Sequence, residues 1–193
     1  MGASRTAREG AALLDHVPFA TRSGSPLKQL TTIGVHGTDL DTFLAELRDA
    51  NVLQLLDVRQ RRGVRGREYA WANSQRLQRA LHLAGVEYRH HKELAPTTEL
   101  SRLQYAEDDR LGIGKRSRVA LAAEYVERYE REILDQIDLR PIVAEMPDDA
   151  ATTLLCVERD ATACHRSLIA RRIVQEFGLP VRHLPLSEDS PRF

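Results

Sequence analysis

Five short stretches rich in apolar and β-branched residues recur along the chain: LTTIGVHG, NVLQLLDVR, VEYRHH, TTLLCVE and VRHLPL. Segments with helical spacing separate most of them. Strands that are apolar on both sides need cover on both faces of a sheet, and strands alternating with helices supply it only as parallel crossovers. The pattern predicts a three-layer α/β domain, Rossmann-like, with a mostly parallel sheet of about five strands and helices on both faces.

The connecting segments carry their own signals. After the first strand, Thr38 is the expected helix cap, with Asp39 and Asp41 in the first turn and Phe43, Leu44 and Leu47 as the buried stripe. SQRLQRALHLAG places Leu77, Leu81, Leu83 and Ala84 at helical spacing and stops at Gly85. RVALAAEYVERYEREILDQI is the strongest helical pattern, through Leu121, Tyr125, Tyr129 and Leu134. HRSLIARRIVQEFG is expected to pack through Ile169, Ile173 and Phe177. KELAPTTELSRLQYAEDDRLGIGKRS reads as a long irregular connection. Residues 1–29 lack sustained periodicity and end in the turn-rich TRSGSPLK. They read as an N-terminal extension, with one short helix around AREGAALLDHV, ahead of a single domain over residues 30–193.

Composition narrows the function classes. Lys+Arg and Asp+Glu both number 28, so no overall field draws the chain to nucleic acid. No apolar run approaches a membrane span, and the N-terminus lacks a signal-peptide layout, so a cytoplasmic protein is expected. Two cysteines make no disulfide framework, which fits a reducing compartment. Against the neutral background, VRQRRGVRGR gathers Arg59, Arg61, Arg62, Arg65 and Arg67 around two glycines. Such a loop is either a solvated surface or a clamp for phosphate, whose oxygens match guanidinium forks.

Ligands of open parallel sheets bind beyond the carboxyl ends of the strands. Three such ends carry chemistry here. The first holds Gly34, His36, Gly37 and Thr38; the second holds Asp57 and Arg59; the fourth holds Cys156, Glu158 and then Cys164, His165 and Arg166. They are expected to meet in one pocket, with Arg166 and Asp57 on the same side of the sheet. Asp57 and Arg59 also read as an ion pair that fastens the following loop. Cys164, beside His165 and Arg166 at a helix start, has the surroundings that turn a thiol into a thiolate, while Cys156 reads as a small core residue. First-turn amides and Arg166 form an anion receptor. A metal is disfavoured, because adjacent side chains on a helix diverge by roughly 100° and Cys164 and His165 would then not share an ion. A cap arginine with two merely packed cysteines is the plain alternative.

TIG (residues 32–34), LLDVR (55–59), GVEYRHHKEL (85–94) and LLCVERDATACHRSLIA (154–170) resemble successive blocks of the domain-of-unknown-function 488 family. The resemblance spans about residues 31–185, and its specific element is C-x-E followed by C-H-R. It implies an α/β domain and places Asp57, Arg59, Cys156, Glu158, Cys164, His165 and Arg166 on signature positions; it implies no activity. Ala95-Pro96 stands where many relatives have Gly-Gly. A fainter similarity runs to rhodanese-like domains, which also pair an aspartate-arginine strand end with a cysteine loop entering a helix through Arg-Ser.

The residues point first to an enzyme acting on an anionic, phosphate-bearing or nucleotide-like small substrate. Cys164 would be nucleophile or redox thiol, Glu158 or His165 would move protons, Asp57 would assist, and Arg59, Arg166, His36, Gly34 and Cys156 would line the binding rim. The alternatives are a nucleic-acid-binding module built on residues 59–67, helped by Tyr69, Trp71 and a basic arm (Arg5, Arg8, Arg22, Lys28), or a Cys/His metal-binding protein. The pattern names no cofactor and no oligomeric state.

Overall fold

The computed structural model describes residues 28–114 and 117–185. The proposed helix around AREGAALLDHV and most of the basic arm lie outside them. Strands β1 (Gln29–Ile33), β2 (Val52–Asp57), β3 (Glu87–His90), β4 (Ala151–Leu155) and β5 (Val181–His183) form one sheet in the order β3-β2-β4-β1-β5. Every pairing is parallel. The helices are α1 (Leu40–Asp49), α2 (Ser74–Leu83), α3 (Thr98–Arg110), α4 (Ala123–Glu132), α5 (Arg140–Ala144) and α6 (Arg166–Phe177). No helix among the described residues is long and apolar enough to cross a membrane.

Side-chain alternation along the strands divides the core in two. Ile33, Leu55 and Leu155 face α1 and α2, packing on Phe43, Leu47, Leu77 and Leu81. Leu30, Leu56 and Leu154 face the other way, against Tyr125 and Tyr129 of α4 and Ile169 and Ile173 of α6. This is the expected three-layer arrangement. The central strands β4 and β1 are buried on both faces, whereas β3 at the edge is only partly covered, so its polar EYRH sequence is tolerated.

Register and strand order together locate the ligand edge. Ile33 pairs with Leu155, Leu155 with Asp57, and Asp57 with His90, so four strands end in one row. From β1 the chain crosses to β2 over the α1 face, whereas from β4 it crosses to β5 over the α6 face. Right-handed crossovers in opposite directions make the gap between the ends of β1 and β4 the switch point.

Three local expectations are corrected. Asp39, not Thr38, caps α1: its backbone is extended and its Oδ1 accepts from Thr42 N at 2.9 Å, while Thr38 Oγ1 turns to the Asp39 carbonyl. The segment read as irregular contains α3, 13 residues long and capped by Thr97. Its apolar spacing is masked because two of its buried positions are Gln104 and Asp108. The strongest helical pattern is realised as the shorter α4, because Ala122 N is taken by Gln104 Oε1 at 2.9 Å and the chain before it stays non-helical.

Candidate functional site

Gly34 brings the two strand-end loops into contact. A Cβ on it would lie 2.2 Å from the Glu158 carbonyl oxygen, so only glycine admits the loop that follows β4. Val35 N and His36 N then both donate to Val157 O, at 3.2 and 3.0 Å. Arg166, at the start of α6, fixes the same loop from beneath. Its guanidinium donates to the carbonyls of Glu158 at 2.6 Å and Arg159 at 2.7 Å, and to Thr32 Oγ1 at 3.3 Å.

Above this frame opens a cavity of about 730 Å³, bordered by His36, Arg59, Glu158, Cys156, Cys164 and His165 on the sheet side. Arg61 and Arg65 from the loop after β2, Arg102 and Tyr105 from α3, and Arg118 and Tyr125 complete it. Its volume is that of a small-molecule site. Six of the predicted site residues therefore border it, and Gly34, Asp57 and Arg166 do not. Asp57 is in register with Leu155, which belongs to the α1–α2 layer, while Arg166 opens α6 on the opposite layer. The expectation that they share one side is corrected: the strand's period of two turns Asp57 away from Cys156.

Asp57 is fully committed to structure. Its carboxylate accepts from Arg59 Nε at 2.8 Å, Arg59 Nη2 at 2.6 Å, Arg59 N at 3.1 Å and Tyr88 Oη at 2.7 Å. The remaining Arg59 Nη1 donates to Ala72 O at 3.0 Å. This buried pair ties the arginine loop to the sheet, the fastening that was one of its two readings. Burial and the interaction with Asp57 push Tyr88 up to about 12, so the phenol stays neutral and donates.

Cys156, Cys164 and His165 form the floor, 4%, 1% and 6% exposed. Their ligating atoms all lie within 4.8 Å of one another. His165 Nδ1 sits 3.8 Å from each sulfur, and its Nε2 is 3.0 Å from Val58 O. The carbonyl takes the Nε2 proton, so Nδ1 turns to the sulfurs. Neighbours within a helix diverge, but Cys164 precedes α6 and has an extended backbone (φ −142°, ψ 142°), so the expected obstacle to sharing an ion is lifted. That extension swings its sulfur back beside His165.

Electrostatics separate the two thiols. Burial pushes Cys164 up, but the hydrogen bond from Cys156 and the positive charges of Arg166 and His165 outweigh it and hold the thiol well below its ordinary range. Burial pushes Cys156 well above that range, and the neighbouring Cys164 and Glu158 add to the effect. For His165, burial favours the neutral ring, yet the Cys164 thiolate outweighs it and raises the imidazole. The Cys156 S–H also has Glu158 Oε2 in reach, at 3.2 Å.

A polar network unseen in the sequence holds the far wall. Arg118, 7% exposed, donates to Asp108 Oδ2 at 2.8 Å, Glu158 Oε1 at 3.3 Å and Ala163 O at 3.0 Å. Gln104 Nε2 donates to Asp108 Oδ1 at 2.8 Å. The available signal was the spacing of Leu100, Gln104 and Asp108, which continues an apolar helix face with two polar residues. Trp71, expected beside the loop as a stacking platform, packs on Phe43 with centroids 4.9 Å apart, and Tyr69 lies against His36 at 5.0 Å.

The family model described as domain of unknown function DUF488 matches residues 39–173. Neither the curated proteins nor the solved structures give a significant match. The match takes in α1, β2, the arginine loop, β4 and the whole Cys156–His165 floor, well over half of the chain, and on that ground the chain belongs to the DUF488 family.

Proposed function

We propose that this protein is an enzyme that draws an anionic small substrate into the arginine-bordered cavity and transforms it at the Cys164 thiolate. One observation carries the reading: a buried cysteine–histidine pair, Cys164 and His165, forms the floor of a cavity whose exposed rim is cationic. Among the described residues, Arg61, Arg65 and Arg102 border the cavity with no hydrogen-bonded or ion-paired partner, whereas Arg59 and Arg118 are neutralised by Asp57, Asp108 and Glu158. The rim, rather than Arg166, is the anion receptor, because Arg166 gives its guanidinium to the Glu158 and Arg159 carbonyls and Thr32 Oγ1. Glu158, 3.2 Å from Cys156 Sγ, is the proton carrier beside the reacting centre.

The cavity's small-molecule volume and the internal packing of Trp71 favour this over a nucleic-acid module. The test is alkylation of the native, metal-free, reduced protein with iodoacetamide at neutral pH. Cys164 is expected to react faster than free cysteine and faster than Cys156, with pyrophosphate slowing it in wild type but not in the triple variant Arg61→Ala, Arg65→Ala, Arg102→Ala. A Cys164 no faster than free thiol, or protection that survives loss of the rim arginines, overturns the proposal.

A further inference from the structure

We infer that Cys156, Cys164 and His165 together form a preorganised binding site for one zinc-class divalent ion, with its fourth coordination position open to the cavity. The inference rests on the cavity reading: with the ion bound, the sulfur electron pairs go to it and the substrate meets the open position, so Cys164 acts as a free nucleophile only in the metal-free protein.

Geometry is the first argument. A tetrahedral zinc with ligand bonds of about 2.3 Å to sulfur and about 2.0 Å to nitrogen holds its S and N ligands roughly 3.5 Å apart. Both sulfur-to-Nδ1 separations here are 3.8 Å, a few tenths of an ångström longer, and the two sulfurs lie within 4.8 Å of each other, so they close by at most about 1 Å to the sulfur spacing of a tetrahedral ion. The ligand types argue for a soft or borderline ion: two thiols and an imidazole suit zinc and exclude magnesium and calcium, which take oxygen.

The outer contacts fit as well. Val58 O fixes the tautomer that leaves Nδ1 available, the role a carbonyl plays behind metal-bound histidines. Charge balance points the same way. Arg59 and Arg118 are already paired with carboxylates, so neither balances a pair of sulfur ligands, whereas a dication would. Finally, the three residues all border the cavity, and three protein ligands plus one open position is the pattern of catalytic rather than structural zinc.

The experiment is titration of the reduced, chelator-stripped full chain with cobalt(II), followed by zinc. One equivalent of cobalt is expected to give the intense visible bands of a tetrahedral site with a sulfur-to-cobalt charge-transfer band, and zinc is expected to displace it. Cys156→Ser, Cys164→Ser and His165→Gln are each expected to weaken binding by more than about 100-fold, a larger loss than removing an outer contact causes. In wild type, zinc is expected to raise the Tm and protect both cysteines from iodoacetamide, readouts that need no variant to fold. An octahedral spectrum, undiminished binding by His165→Gln, or zinc that neither raises the Tm nor protects the thiols overturns the site. If Cys164 still reacts fast in the metal-free protein in that event, the enzyme proposal stands without the metal. If instead cobalt binds as expected but pyrophosphate fails to engage the rim arginines, the metal site stands and the anionic-substrate reading falls.

Discussion

Arg118 shows how much a single side chain can organise when its charge is buried. It lies just before α4, yet its three nitrogens reach α3, the loop after β4 and the turn before Cys164. Removing it leaves Asp108, 5% exposed, without its counter-charge. Breaking a buried pair in this way costs about 3–5 kcal/mol, because one ion stays desolvated and unpaired. Arg118→Ala is therefore expected to lower the urea midpoint by that equivalent, and the double variant Arg118→Ala, Asp108→Ala to recover part of the loss. A double variant no more stable than the single one would show that the pairing is not what Arg118 contributes. None of this was legible in the sequence, where Arg118 reads as the first residue of a helix. Periodicity reports that a position is buried, but not which distant charge it is buried against.

At the scale of elements, helix ends were nearly legible and the polar-faced helix was not. Asp39 illustrates the first case. The cap falls one residue after the expected Thr38, since a carboxylate with an extended backbone meets Thr42 N directly. Asp39→Ala is expected to cost about 1 kcal/mol in denaturant unfolding. The hydrogen bonds from Thr42 lower the Asp39 pKa below 3.8 despite the opposing effect of burial. A carboxylate with a depressed folded pKa binds fewer protons folded than unfolded. Its contribution is therefore complete above about 3.8 and is lost as pH falls through the lower folded value. Comparing wild type with Asp39→Asn in acid should show a steeper loss in wild type within that window; parallel curves would contradict the assignment. The second case is α3, whose buried Gln104 and Asp108 interrupt the apolar pattern that would have announced it. A helix that buries polar groups is recognisable only once their partners, Arg118 and Ala122 N, are in place.

For the whole molecule, the decisive contact is between two loops more than a hundred residues apart in sequence. Gly34 has no left-handed φ, so an alanine would suit its backbone and would even reduce unfolded-state entropy. The Glu158 carbonyl, 2.2 Å from the added Cβ, reverses that gain. Gly34→Ala is expected to destabilise the fold by about 1–3 kcal/mol, as overpacking does, and to slow Cys164 alkylation by displacing the loop that carries Glu158. A stable variant with unchanged thiol reactivity would mean that the switch point tolerates separation. By itself the sequence determined the α/β layering, the five strand positions, the family and the segment that holds the two cysteines. These follow from local periodicity and composition, which act over a few residues. Only the tertiary structure decided which polar groups face the cavity and which are used up. It sent Asp57 to Arg59 and Arg166 to backbone carbonyls, and it swung Cys164 beside His165 on an extended backbone. The physical reason is that a buried polar group must find its partner wherever the chain supplies one, and that partner is set by topology rather than by neighbouring sequence.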